Sequence, residues 1–144
     1  MTTAIRVRTV FLVAFMFVAG AGVARAGDTL FEDMGGREAI VKLASDTTDI
    51  ILADDRIKAT FDNTNMDRFR QKLGEQFCQV AGGPCKYTGH TMRAAHRGLH
   101  LTNADFNAVV EDLQKAMDKD GIGFATQNRF LARLAPMQHD VVTR

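Results

Sequence analysis

From Gly27 onward, the apolar residues of this chain recur every three or four positions, which is the spacing of one face of an α-helix. The same region has no run of about four to eight residues that alternates apolar and polar side chains, as a half-buried β-strand would. The clearest stripe lies on a helix predicted from Met66 to Ala81 and consists of Phe69, Leu73, Phe77 and Val80. This pattern predicts a single all-α domain.

Short polar residues, glycine and proline divide the pattern into separate helices. Gly82-Gly83-Pro84 ends the helix that begins at Met66, because glycine accepts left-handed conformations and proline has no amide proton. Thr102 and Asp105 form the acidic version of a capping box, which begins another helix. Pro136 is expected to kink the last helix. Two further helices are predicted over residues 38–52 and 91–99.

The first 26 residues have the pattern of a secretory signal peptide. Arg6 and Arg8 precede a largely apolar run over residues 9–23, and Ala24-Arg25-Ala26 places small residues around a cleavage site. The run is shorter than the ~20 apolar residues that a membrane span needs, and an uncleaved anchor is the alternative. Cleavage would leave a domain of residues 27–144 with no stable membrane span, secreted and expected in the periplasm.

The charge of the chain argues against nucleic-acid binding. Residues 1–26 contain three arginines and no acidic residue, so cleavage would change the formal net charge from +1 to −2. A weakly acidic chain lacks the clustered positive charge that drives binding to phosphates. Common enzyme motifs such as the Walker and Rossmann glycine patterns are also absent from the sequence, and no catalytic residue is predicted.

Cys78 and Cys85 are the only two cysteines. Export to an oxidising compartment favours a disulfide between them, and the intervening Gly-Gly-Pro turn could fold the second sulfur back onto the preceding helix. Two unpaired thiols are the alternative, while a metal site is disfavoured because no Cys-x-x-Cys is present. The absence of Cys-x-x-Cys-His also excludes ordinary covalent attachment of c-type haem.

Among the four histidines, His96 has the most informative position. It shares an apolar face with Met92 and Leu99, at spacings of four and three residues, whereas the others occupy predicted surface positions. A buried ring nitrogen without a partner costs about 1–3 kcal/mol. His96 is therefore either a core histidine with internal hydrogen bonds or the ligand of a haem iron.

Several motifs together carry a resemblance that covers nearly all of the chain after residue 26. In chain order they are Gly35-Gly36, Leu52-Ala53-Asp54-Asp55, Phe61, Thr64-Asn65-Met66, Gly82-Gly83-Pro84, Tyr87-Thr88-Gly89, Met92, His96, Phe106 and Ala135-Pro136-Met137. Their order and spacing resemble a group I truncated haemoglobin. The most specific part is Gly-Gly-Pro followed by Tyr-Thr-Gly and then Met-x-x-x-His.

The resemblance implies a two-over-two helical globin fold and a non-covalent haem b. His96 would be the proximal ligand of the iron, Phe61 would stack on the porphyrin, and Met92 would contact the proximal side of the ring. A diatomic gas would bind on the opposite, distal side.

The resemblance places the distal side on the predicted helix 66–81. Phe69 and Leu73 would face the distal side of the haem, and Phe77 would lie behind them near the ligand route. Lys72 or Arg70 would pair with a haem propionate.

The sequence departs from the family where a bound gas would be contacted. Many members have a Phe-Tyr pair whose tyrosine hydroxyl hydrogen-bonds dioxygen, and the matching residues here are Thr47 and Thr48. Many members have a distal glutamine where this chain has Leu73. Thr48 is then the only short candidate donor, and the lost hydrogen bonds predict fast oxygen release. The sixth iron ligand is left open between water, Lys72 and none.

Three functions are consistent with these residues. The first is reversible binding of oxygen, NO or CO; turnover of NO by dioxygenation would also need a reductase or other electron donor, so enzyme activity is undecided. The second is a haem electron carrier or redox sensor in which Cys78 and Cys85 report the redox state. The third is a haem-free helical binding module.

Overall fold

The computed structural model describes residues 29–143, and every regular element in that range is helical. The α-helices there are α1 Leu30–Asp33, α2 Gly36–Ala53, α3 Met66–Val80, α4 Met92–Ala95, α5 Asn103–Lys119, α6 Phe124–Leu134 and α7 Gln138–Val141. Short 3₁₀ segments cover Lys58–Phe61 and Ala135–Met137. The all-α prediction is confirmed. The predicted leader, residues 1–26, lies outside the described residues.

Helix α2 is the centre of the fold, because both α3 and α5 pack against it. Its start depends on Gly35 and Gly36, whose φ angles of 88° and 75° lie in the left-handed region that favours glycine. The helices α2 and α3 approach closely at Gly74, where an added β-carbon would already lie 3.8 Å from the side chain of Ala44. No helix between residues 29 and 143 is long and apolar enough to cross a membrane.

The apolar interior consists of two clusters. The larger one contains Leu30, Leu43 and Met117 from three helices, together with Phe77 and Phe130, whose rings meet edge to face with centroids 5.2 Å apart. The smaller cluster contains Ile51, Ile57 and Ala108, with Phe61 and Val109 packed against it. Residues of both clusters form walls of the same cavity.

The predicted helix ends on either side of that cavity are largely confirmed. Thr102 and Asp105 form the expected capping box, with the Asp105 carboxylate accepting from the Thr102 amide at 2.8 Å. The Asn65 side chain caps α3 by accepting from the Arg68 amide at 2.9 Å. At Pro136 the last helix is interrupted by the 3₁₀ segment, as the missing amide proton predicts.

Helix α4 is shorter than the predicted helix over 91–99. Thr91 caps its start, but the chain enters the left-handed region at Gly98, with φ 78°, and again at His100, with φ 53°. Leu99 is 43% exposed and lines the same cavity as Met92 and His96, so the predicted common face of these three residues is retained. The apolar stripe therefore predicts a longer helix than α4, because residues in a turn can also recur at intervals of three or four positions.

Candidate functional site

A cavity of about 410 Å³ lies between α2, α3, α4, α5 and the C-terminal segment. Its lining is predominantly apolar, with aromatic and aliphatic side chains from every one of these elements. The main apolar lining residues are Ile51, Ile57, Phe61, Phe69, Leu73, Phe77, Met92, Leu101, Phe106, Val109, Leu113, Leu134 and Met137. A cavity of this size and character is typical of a site for a largely apolar small molecule.

Seven of the eight residues predicted to contact a cofactor line this cavity: Phe61, Phe69, Lys72, Leu73, Phe77, Met92 and His96. The structure thus brings together side chains from the 3₁₀ segment before α3, from α3 itself and from the segment around α4. Phe61 and Phe69 meet with ring centroids 5.2 Å apart, so these two rings form one corner of the lining.

The eighth residue, Thr48, is not part of the lining, and the structure corrects that expectation. Its side chain is fully buried, and its hydroxyl donates to the Ala44 carbonyl at 2.7 Å. Thr47 lines the cavity instead, and its hydroxyl donates to the Leu43 carbonyl at 2.7 Å. Both threonine protons are therefore engaged by the helix backbone.

His96 is partly buried in the cavity wall. Its Nδ1 lies 2.7 Å from the carbonyl oxygen of Met92. A carbonyl can only accept a hydrogen bond, so Nδ1 carries the proton and Nε2 keeps an unshared electron pair. In metal-binding histidines, a hydrogen bond from the ring nitrogen that does not bind the metal fixes the tautomer and the ring orientation.

Within residues 29–143, no group of three or more His, Cys, Asp or Glu side chains is arranged to hold a metal ion. His96 thus lacks protein partners for a metal site of its own. Most ligands of a metal bound at His96 would therefore have to come from a group other than the protein side chains.

Lys72 belongs to a small polar network beside the cavity. The Glu75 carboxylate accepts from Lys72 Nζ at 2.9 and 3.0 Å, and from the amide and hydroxyl of Thr88 at 3.0 and 2.7 Å. The Lys72 ammonium also donates to the Thr88 hydroxyl. The hydrogen bonds from Lys72, followed by those from Thr88, lower the pKa of Glu75 to about 2.

Arg70, the alternative to Lys72 as a propionate partner, is not part of the lining. Its guanidinium donates to the Ser45 carbonyl at 2.8 Å and to Asp49 at 2.7 Å, which ties α3 to α2. Of the two candidates, the structure leaves only Lys72 at the cavity.

We expect Glu75→Gln to reduce the loss of stability at acidic pH. The folded-state pKa of about 2 lies below the ordinary value of 4.5, so the Glu75 carboxylate stabilises the fold above about pH 4.5 and this contribution disappears as the pH falls toward 2. The measurement is the free energy of unfolding in urea between pH 5 and pH 2.

The matched control is Glu32→Gln, because Glu32 is exposed and has no ion pair among the described residues. It should keep the steep acid dependence of the unmodified chain. Equal pH slopes for the Glu75 variant and the unmodified chain would contradict the network.

The sequence patterns missed Gln76, whose side chain also lines the cavity. Its Nε2 contacts the sulfur of Met92 at 3.0 Å and that of Met137 at 3.5 Å, linking α3 to α4 and the C-terminal segment. Gln76 lies three residues after Leu73 and seven after Phe69, so helical spacing alone could have placed it on the same face. Its polar side chain excluded it from an apolar stripe.

Residues 82–91, here named the cavity loop, connect α3 to α4. Cys85 in this loop forms a disulfide with Cys78 of α3, with Cα atoms 5.7 Å apart. The Tyr87 amide donates to Gln79 Oε1 at 2.7 Å, and the Tyr87 hydroxyl donates to the His90 carbonyl at 2.8 Å. Tyr87 and His90 both line the cavity.

Comparison with known proteins identifies similar chains over most of the described range. The family described as bacterial-like globin matches residues 29–143. A group 1 truncated hemoglobin of Tetrahymena thermophila is 35% identical over 98 residues, which cover 68% of this chain and 81% of that protein. The group 1 truncated hemoglobin GlbN of Mycolicibacterium paratuberculosis is 30% identical over 115 residues, 80% of this chain and 85% of that protein.

Solved structures show the same similarity in three dimensions. The truncated hemoglobin of Tetrahymena pyriformis in its Fe(III) form superposes with a TM-score of 0.77 at 29% identity, covering 80% of this chain and 98% of that one. The 2/2 hemoglobin of a Synechococcus species, in the cyanomet state and with covalently attached heme, gives a TM-score of 0.75 at 26% identity and the same coverage.

Proposed function

This chain belongs to the bacterial-like globin family and has the two-over-two helical globin fold, and from that premise we propose that it is a haem protein that reversibly binds a diatomic gas. The gas is oxygen or another small ligand, NO or CO. The observation that carries the proposal is His96, whose imidazole lies in the wall of an apolar cavity with its Nδ1 proton held by the Met92 carbonyl.

The residues present fit haem b. A macrocycle that supplies four nitrogens needs only one imidazole from the protein, so His96 can hold it without a group of three or more ligating side chains, and no such group is found within residues 29–143. The apolar walls suit the flat face of a porphyrin. The two cysteines of the chain are bonded to each other, so neither offers a thiol for a thioether bond to haem. The proposed haem is therefore held without a cysteine linkage.

Each lining side chain then has a definite task. His96 would hold the iron through Nε2, and the Met92 carbonyl keeps the imidazole in position while the Met92 side chain lines the same wall. Phe61 would contact the porphyrin at the corner that it forms with Phe69. Lys72 supplies a positive charge for a propionate.

Haem supplies an iron with an open coordination position, where a diatomic gas binds. This chain offers that gas an apolar environment of Phe69, Leu73 and Phe77. The hydroxyl protons of Thr47 and Thr48 are both taken by backbone carbonyls, so neither is free to donate to a gas. We therefore expect faster oxygen release than in a pocket with a tyrosine donor.

The test is the visible spectrum of the chain purified from the periplasmic fraction and supplied with haem. We expect a Soret band that shifts when the reduced protein is exposed to CO, because an accessible coordination position accepts CO. A band that does not respond to CO would favour the electron carrier, with both axial positions filled. Absence of a Soret band after haem is added would leave the haem-free helical module.

The proposal includes export of the protein and, for one possible activity, a source of electrons. The leader pattern of residues 1–26 and the disulfide both agree with an oxidising compartment such as the periplasm. Turnover of NO by dioxygenation would oxidise the iron, so that activity requires a reductase or another electron donor as a partner. Reversible gas binding consumes no electrons once the iron is ferrous.

A further inference from the structure

The cavity loop is attached to α3 by one covalent bond and several hydrogen bonds. The covalent bond is the Cys78–Cys85 disulfide. Beyond it, the amides of Tyr87 and Thr88 donate to Gln79 and Glu75, at 2.7 and 3.0 Å. These contacts hold the middle of the loop along the last turns of α3.

The same loop forms part of the cavity wall. Tyr87, Gly89 and His90 all line the cavity. Gly89 packs so closely against the Tyr87 ring that an added β-carbon would overlap it. A change in the position of the loop therefore changes the wall directly.

The loop also determines where α4 begins. Thr91, at the end of the loop, caps α4 by accepting from the Ala94 amide at 3.2 Å, and His96 follows α4 directly. With the disulfide formed, only residues 86–91 separate a covalent attachment on α3 from the start of α4. Without it, the whole loop separates the two helices, and the segment that carries His96 is less restrained.

The two sulfurs differ in accessibility. Cys78 is 2% exposed, whereas Cys85 is partly exposed. A thiolate of a dithiol reductant can therefore attack Cys85 Sγ and form a mixed disulfide with it. The Cys78 sulfur leaves and takes up a proton. The second thiol of the reductant then closes its own disulfide and releases Cys85. The net reaction converts one protein disulfide and one dithiol into two cysteine thiols and one reductant disulfide.

We propose that the Cys78–Cys85 disulfide is a redox-controlled clasp, which orders the cavity loop against α3 and slows the release of haem. The inference rests on the proposed function, because the molecule retained is haem. In an oxidising compartment the clasp is closed and haem is held; reduction by a dithiol protein opens it. The hydrogen bonds of Tyr87 and Thr88 involve neither sulfur, so reduction weakens the attachment of the loop without removing it.

The experiment compares the haem-loaded chain before and after reduction with a phosphine. The phosphine is converted to its oxide, with water as the source of oxygen. The remaining reagent is then removed under anaerobic conditions. Two quantities are measured in each state. One is the rate of haem transfer to an excess of a haem-free globin scavenger. The other is amide hydrogen exchange in the peptide that contains Tyr87 and Thr88. We expect about tenfold faster transfer and faster exchange of these amides after reduction.

The control is the double variant C78A/C85A, which should resemble the reduced chain and should not respond to the phosphine. If this variant does not fold, the reduced unmodified chain still provides the test. Unchanged loop exchange after reduction would overturn the clasp, and so would faster exchange with an unchanged haem transfer rate. Failure of both redox states to bind haem would instead contradict the proposed function, and the inference with it.

Discussion

Replacing His96 with alanine is expected to accelerate haem loss by about a hundredfold or more, since removing a group that only hydrogen-bonds a metal ligand typically costs metal affinity ~10–100-fold and His96 is proposed as the ligand itself. The variant should also lose the visible spectrum of the reduced haem bound through His96. The fold should persist, because His96 is only partly buried and lies outside both apolar clusters. The measurements are haem transfer to a scavenger globin, the reduced visible spectrum and the helical circular dichroism signal.

His90→Ala is the matched control, because His90 also lines the cavity but makes no hydrogen bond to the Met92 carbonyl. It should retain the spectrum and lose haem at nearly the original rate. Free imidazole added to the His96 variant should restore part of the spectrum by occupying the vacated ligand position. A His96 variant that keeps the original spectrum would show that another side chain binds the iron.

Replacing Leu73 with glutamine is expected to slow oxygen release by roughly 10–150-fold, the factor that corresponds to a hydrogen bond of ~1.5–3 kcal/mol to a strongly polar acceptor. Leu73 lies between Phe69 and Gln76 on the cavity face of α3, in a wall where the threonine protons are already engaged. A side-chain amide at this position adds a donor where Leu73 offers none, whereas the amide of Gln76 is directed at the sulfurs of Met92 and Met137. The measurement is the oxygen dissociation rate of the reduced protein after mixing with excess CO.

The control for this prediction is Leu73→Met, which keeps an apolar side chain of similar volume. Its oxygen dissociation rate should stay within a few-fold of the original, while its CO binding should be unchanged. If the glutamine and methionine variants release oxygen at the same rate, residue 73 does not contact the bound gas. The apolar character of the α3 wall would then not be the cause of fast release.

The helical order of the chain could be predicted because its signals are local. The stripe from Phe69 to Phe77, the capping box at Thr102 and the interruption at Pro136 each depend on residues within a turn or two of one another. Local signals were less reliable at α4, where Gly98 ends the helical segment earlier than the stripe suggests. A turn can continue an apolar spacing without continuing the helix.

Which residues line the cavity could not be predicted from the helical spacing of the sequence alone. Thr47 and Thr48 differ by about 100° around the axis of α2, and the positions of the neighbouring helices decide which of them meets the cavity. The same holds for Arg70 and Lys72 on α3: Arg70 reaches Asp49 on α2, and Lys72 is left at the cavity. Helical spacing limits the candidates for each position in the cavity wall to one or two residues. It does not determine which of them lines the cavity.

By itself, the sequence determined that the chain is helical and where its main helices begin and end, and it placed His96 on an apolar face with Met92. These follow from periodicity, capping and turn chemistry, which act over a few residues. Only the tertiary structure decided that Thr47 replaces Thr48 in the cavity wall and that Gln76 contacts Met92 and Met137. These depend on how separate helices approach one another, and that approach is determined by the packing of the whole domain.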